Sequence, residues 1–402
     1  MKRLIAILLV LVLGGSIFLA VNSGSGGRRT DGLYYAAAGI HPDAELLQVN
    51  GDAVTAEEYL YWLAYDCEYL TSYNGALDWN EQVTDDMTYS QYAKADALET
   101  VKLYAVVRQW AEQNEITLTE DDQAQLEALR QQYVTYYGGE EGYTQQIQLL
   151  GIGQEAFDAI NTTSLLYSKV MDAYCSPDGA LYPGDEAVDA FAADGGYLTV
   201  KLLHISTAGL DNQDAIDAQY AKAEDCVRRL REAEDPAAVY DALVEELALT
   251  YDENGLTICP TDADVDETLY AALNALAVGE ISDVITCDNG YYVGLRTELD
   301  RQGVIGDCFQ AALQQAQEDA QVKRNDKLYD AIDAETFYTA LLQERSALQQ
   351  QFAAAADDTS DSGETAEGGE NAAAGSGEAA AGNGENAGND APESGSADAP
   401  TP

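Results

Sequence analysis

Histidine is almost missing from this chain: His41 and His204 are the only two in 402 residues. Multi-histidine metal centres and most chemistry that needs more than one imidazole are thereby excluded. Bases are scarce as well, with 20 Lys and Arg against 71 Asp and Glu and a formal net charge of −51. A nucleic-acid binder needs a basic footprint that releases counterions, and none is available here. The same imbalance argues against docking of the folded part on anionic lipid. The six cysteines, at 67, 175, 226, 259, 287 and 308, include no C-x-x-C pair, so neither a zinc site nor a thioredoxin-type motif is indicated. No D-x-D-x-D-G loop points to specific calcium binding. From Asp357 to Pro402 there is no Lys, no Arg and no aromatic residue. Such a segment buries too little apolar area to offset its ordering entropy, so residues 353–402 are expected to be a disordered acidic tail.

What is present is a chain with room for two or three domains and an ordinary hydrophobic fraction of 46%. Met1-Lys2-Arg3 leads into an apolar or small run from Leu4 to Val21. That run lies between the length of a secretory signal and that of a membrane span, so residues 1–30 are expected to be an uncleaved anchor or a cleaved signal followed by a flexible spacer. Either way the rest of the chain is exported. An exported setting permits disulfides among the six thiols; buried free cysteines are the alternative.

Residues 45–194 carry helical signals in succession. Thr55-Ala56-Glu57-Glu58 has the form of a capping box, and Leu60, Leu63, Ala64, Cys67 and Leu70 then share one helical face. Leu98, Val101 and Ala105 mark the next helix, Thr119-Glu120-Asp121-Asp122 opens a third that Gly138-Gly139 stops, and Glu155–Tyr174 and Asp185–Ala193 follow. Tyr59, Tyr61, Trp62, Tyr65 and Tyr69 crowd one of these helices, a composition suited either to a core or to a cleft that grips unfolded segments.

Over residues 196–300 the period changes. Thr199–Ile205 predicts a strand on which Val200, Leu202 and His204 share a face. A helix through Ile216, Tyr220, Ala223, Val227 and Leu230 comes next, then one opened by Asp235-Pro236. A short strand is expected at Gly255–Cys259 and a helix at Asp266–Leu276. Strands Ile281–Cys287 and Tyr291–Thr297 are joined through Asp288-Asn289-Gly290, a hairpin signal. The order β-α-α-β-α-β-β predicts a small α+β domain with helices on an antiparallel sheet. Residues 304–352 return to helix.

These segments resemble a known family. Val200-Lys201-Leu202-Leu203-His204-Ile205 is similar to the first strand of parvulin-type peptidyl-prolyl isomerases, Ala275-Leu276-Ala277-Val278-Gly279-Glu280-Ile281-Ser282 to their A-L-x-x-G-E-x-S motif, and Asn289-Gly290-Tyr291-Tyr292-Val293 to their final strand. Leu47-Gln48-Val49-Asn50-Gly51 and Val54–Tyr59 resemble the start of the SurA/PrsA-type chaperone domain. The resemblance implies a helical SurA/PrsA-like domain, completed by the C-terminal helices, with a parvulin-like domain inserted in it.

It also implies a site. His204 falls on the family's first histidine, Asp252 on its acidic or thiol position, and Tyr292 on its second histidine, whose role a phenol hydroxyl would take over. Asn289 stands at the small polar position before Gly290, Leu269 and Val265 where the proline pocket is lined, and Cys287 beside them. The expected activity is prolyl cis-trans isomerisation of exported polypeptides by a membrane-tethered foldase. The alternative is a catalytically inactive chaperone or scaffold for unfolded exported chains. The expected partners are unfolded polypeptides containing X–Pro bonds and, through the N-terminal helix, the membrane; no nucleic acid, metal or cofactor is implied. The expected location is the outer face of the cell membrane, or the exterior if the signal is cut.

Overall fold

The computed structural model describes residues 32–361 apart from 42–43, 76, 85, 250–254 and 264, and omits the side chains of 356–361. The expected anchor, the acidic tail beyond 361 and Asp252 therefore lie outside the described residues. No helix among the described residues is long and apolar enough to cross a membrane. The chain divides into two units, 1–353 and 354–402, and the second is described only as the end of a helix.

The described residues of the first unit begin with a short helix, α1 (Leu33–Ala38), and a hairpin of β1 (Leu47–Val49) and β2 (Asp52–Val54). The hairpin turn is Asn50-Gly51, with φ of 53° and 97°, the left-handed backbone that such two-residue turns require. Six helices follow: α2 (Ala56–Asn74), α3 (Tyr89–Gln113), α4 (Glu120–Tyr136), α5 (Glu140–Leu150), α6 (Gln154–Cys175) and α7 (Asp185–Gly195). Then come β3 (Leu198–Ser206), α8 (Gln213–Glu232), α9 (Pro236–Leu247), β4 (Leu256–Ile258), α10 (Glu267–Asn274), β5 (Ile285–Cys287) and β6 (Gly290–Arg296). The chain finishes with α11 (Gln302–Asp319), β7 (Val322–Arg324), α12 (Asp326–Ala331) and α13 (Ala334–Asp361). This is an α+β protein, and the predicted order β-α-α-β-α-β-β is found over residues 198–296.

Segments from the two ends pack together. One core joins Tyr34, Tyr59, Leu60, Leu63, Cys67 and Val101 to Phe337 and Leu341 of α13. A second joins Val106 and Val107 of α3 and Val170 of α6 to Val304 and Phe309 of α11. Pairing of β1 with both β2 and β7 fastens the ends further, with Val49 opposite Val322 and Leu47 opposite Arg324. Both strands fall where helix was expected. Three residues are too few to display an alternation, and a partner far along the chain fixes their geometry. Helix α5 was likewise unanticipated.

Local signals hold elsewhere, with two corrections. Thr55 caps α2 by accepting from the Glu58 amide at 3.1 Å, but the capping box does not close, because the Glu58 carboxylate pairs with Arg108 at 2.9 Å. Closed boxes form instead at Thr88/Gln91 and Thr119/Asp122. The strand expected from Ile281 is shortened to Ile285–Cys287, because the Ser282 hydroxyl accepts from the Gly294 amide at 2.9 Å and so takes a ladder position. All six cysteines are free thiols. Of the crowded aromatics, Tyr59 and Trp62 are core, Tyr61 and Tyr65 are half-buried, and Tyr69 is exposed.

Two features of the helical part give measurable expectations. The side chain of Arg345 of α13 is 7% exposed and holds both the Glu68 carboxylate of α2 and, at 2.8 Å, the carbonyl of Leu150, the last residue of α5. Removing one member of such a buried set strands the other, so Arg345→Ala should lower stability by about 3 kcal/mol in urea unfolding. Asp122 is held down at about 2, chiefly by Lys169 and then by Thr119. A carboxyl depressed in the fold stabilises it above its unfolded value near 3.9 and loses that contribution as pH falls. Acid titration should therefore show stability falling between about pH 4 and pH 2, a limb that Asp122→Asn should flatten.

Candidate active site

The second sheet runs β4-β3-β6-β5, all antiparallel. Side chains alternate across it, so each strand feeds two faces. Leu203, Ile205, Val293 and Leu295 pack under α8 and α9. Leu198, Val200, Ile258 and Ile285 pack under Leu269 and Leu273 of α10. Gly294 lets α10 lie close, since a Cβ there would strike the Leu273 side chain. With eight residues, α10 covers only part of its face. Further along the same face, at the open ends of β3 and β6, stand His204 and Tyr292.

The register places these two residues directly opposite each other, hence on one side of the sheet. Their rings stack with centroids 4.4 Å apart and planes 6° from parallel. Asn289, in the two-residue turn between β5 and β6, joins both. Its carbonyl oxygen accepts from His204 Nε2 at 3.3 Å and from the Thr207 amide at 3.2 Å. A carbonyl can only accept, so His204 Nε2 is the donor in this bond. The Asn289 side-chain amide donates to the Tyr292 hydroxyl oxygen at 2.8 Å. That leaves the phenol O–H as a donor for another group. Gly290 fixes the turn against β3: its φ is 145°, and a Cβ would collide with the Ile205 carbonyl.

The apolar lining comes from Leu202, Val265, Leu269, Ile285 and Cys287. Leu269 is 5% exposed and forms the floor, whereas Val265, Leu202 and Cys287 are half-buried. The Cys287 thiol donates to Asp266 Oδ1 at 3.6 Å. Burial, with Asp266 and Asp288 nearby, pushes this thiol up to about 11, so it stays protonated and is no nucleophile. Asp266 caps α10, and the Leu269 amide above all holds its carboxyl below the ordinary range. Thus His204, Tyr292 and Asn289 form one hydrogen-bonded group, Cys287, Val265 and Leu269 lie beside and beneath it, and Asp252 is outside the described residues. The sequence marks Asp266 only as the start of a helix, and it puts Leu202 on the His204 face without assigning it to the site. A stacked imidazole and phenol, an amide and a protonated thiol suit binding and reshaping a ligand better than attacking one. Nitrogen-15 NMR of neutral His204 should show the proton on Nε2; a proton on Nδ1 would contradict the bond to the Asn289 carbonyl.

No family model and no curated protein matches the chain. Among solved structures it is similar to PrsA from Bacillus subtilis at 16% identity and a TM-score of 0.23, covering 66% of this chain and 93% of that one. It is similar to foldase protein PrsA from Streptococcus pneumoniae at 17% identity and a TM-score of 0.20, covering 77% and 98%. It is similar also to a SurA-like chaperone of Campylobacter jejuni at 10% identity and a TM-score of 0.20, covering 70% and 99%. The chain is therefore similar to PrsA and SurA-like structures, and at these identities what it does has to be sought in its own residues.

Proposed function

We propose that this protein is an exported, membrane-tethered foldase that speeds rotation about X–Pro bonds in unfolded exported polypeptides. The observation that carries this is the His204–Tyr292 stack, clamped by Asn289 on an open sheet face beside an apolar floor. Rotation about the bond is opposed by a barrier of about 18–20 kcal/mol, because the twisted amide loses resonance. No covalent bond need form; the twisted amide has only to be bound more tightly than the planar one. The proline ring packs against Val265 and Leu202 above Leu269. The Tyr292 hydroxyl donates to the substrate amide, whose carbonyl and nitrogen regain local charge density as conjugation breaks. Asn289 aims that donor and holds the imidazole flat beneath the site. Residues 45–194 and 304–352 would form the chaperone-like platform and 196–300 the isomerase domain, with the run Leu4–Val21 as the anchor.

A second reading is a chaperone that has lost catalysis. It is favoured by Leu269, which is sealed at 5% exposure where the ring of a bound proline would need room. Isomerisation of a short proline peptide by the full chain separates the two. The enzyme should exceed the uncatalysed rate, and Tyr292→Phe should cut kcat/KM about tenfold through loss of one hydrogen bond, with the fold intact. A wild-type rate equal to the background, together with suppression of client aggregation that His204→Ala leaves unchanged, would establish the chaperone instead.

A further inference from the structure

Helix α4 is fastened near its two ends. At its start Asp122 is buried and pairs with Lys169 of α6 at 2.8 Å. Towards its end Val134 is buried, and Arg130 holds Glu140 of α5 at 2.6 Å. Asp122 and Val134 are the only buried residues of the seventeen. Between these fastenings α4 spans a groove of about 230 Å³, with α5 and α6 forming its other walls.

The interior of the groove is largely apolar. Leu126 and Tyr133 line it from α4, Tyr143 from α5 and Phe157 from α6. An apolar cavity of about 150 Å³ already admits a benzene ring, so this one has room for a phenyl or branched aliphatic side chain. Polar groups of the lining lack partners: the side chains of Gln123, Asn161 and Thr162 hold no hydrogen bond to any described residue. Carboxamides and a hydroxyl both donate and accept, which suits the alternating N–H and C=O groups of an extended backbone.

Charge narrows the occupant. Arg130 and Lys169 are the only bases on α4, α5 and α6, and they are spent on Glu140 and Asp122. Glu127 and Asp158, exposed where they line the groove, accept from the amides of Gln131 and Gln154 at 2.7 Å each, and Arg130 comes no closer to Glu127 than 3.8 Å. A second copy of the chain, with its net charge of −51, or the acidic stretch from Asp357 onward would bring charge of the wrong sign. We infer that the groove beneath α4 binds an extended peptide segment in which a large apolar side chain stands beside Lys or Arg. The apolar side chain enters between Tyr133 and Phe157, the backbone pairs with Gln123 and Asn161, and the cation meets Glu127 or Asp158. The groove uses no residue of the sheet, so this binding does not depend on whether the sheet domain catalyses isomerisation.

The test is fluorescence anisotropy of the full chain with a labelled, proline-free nonapeptide of Gly and Ser carrying Lys-Phe-Lys at its centre. Exchanging the Phe for Ser should weaken binding about tenfold or more. Exchanging both Lys for Glu should weaken it at least as much. On the protein side, Glu127→Lys at an exposed position should cost about fivefold in affinity. Asn161→Trp, which fills the groove from its half-buried wall, should abolish binding; circular dichroism shows whether each variant folds, and Glu127→Lys keeps the test open if Asn161→Trp does not. Absence of binding, equal affinity for the Lys and Glu peptides, or binding that both variants leave unchanged would overturn the inference. Dimers that sedimentation detects and Asn161→Trp dissolves would overturn it too, assigning the groove to a second copy. Because the probe holds no proline, the result stands apart from the outcome of the isomerase assay.

Discussion

The register between β3 and β6 is the constraint on which the sheet domain depends. Seven residue pairs run from Val200–Arg296 to Ser206–Gly290. A slip of one residue would move every side chain of a strand to the other face. Leu203, Ile205 and Val293 would leave the α8–α9 core, and His204 would no longer face Tyr292. The apolar face therefore enforces a geometry that the polar face uses. Glycines hold the arrangement at both ends: Gly290 lets the turn press on the Ile205 carbonyl, and Gly294 admits Leu273. The site lies at the N-terminal end of α10, where Asp266 meets Cys287 and where Val265 and Leu269 stand beneath the half-buried His204 and Tyr292.

The helical part solves a different problem, that of bringing together segments far apart in the chain. The chain leaves it after α7 and returns at α11, and its two halves must find each other again. They do so through apolar surface, through the β1–β7 pairing, and through Arg345, which links α13 to α2 and to the end of α5. The Arg301 guanidinium adds a bridge from the start of α11 to Asp185 and Asp189 of α7, at 3.1 and 2.7 Å. Such pairs hold together α7 and α11, the helices that flank the second sheet in sequence.

Acidic side chains, so dominant in composition, have distinct uses in the fold. Asp122, Asp235 and Asp266 cap helices, where amide donors and the helix dipole favour the ionised form. Asp66 is buried instead, and its Oδ2 meets no donor. Burial there pushes the Asp66 carboxyl well above the ordinary carboxylate range, the reverse of what the helix ends do to Asp122 and Asp266.

Much of this was determined by the sequence alone. The caps at Thr55, Thr119, Asp235 and Asp266, the buried face through Leu60, Leu63, Cys67 and Leu70, the strand carrying His204 and the hairpin at Asp288-Asn289 all rest on patterns spanning one turn or one strand pair. Such patterns are set by backbone sterics and by the periods of 3.6 and 2, which act locally. Tertiary structure decided the remainder. It alone joined β1 to β7, sent Glu58 to Arg108 instead of its own helix end, placed Leu269 beneath the site, gave Asn289 a hold on both rings, and buried Asp66. Each of these depends on which distant segment packs alongside, and that is decided by the packing of the whole core, to which no single stretch of sequence holds the key.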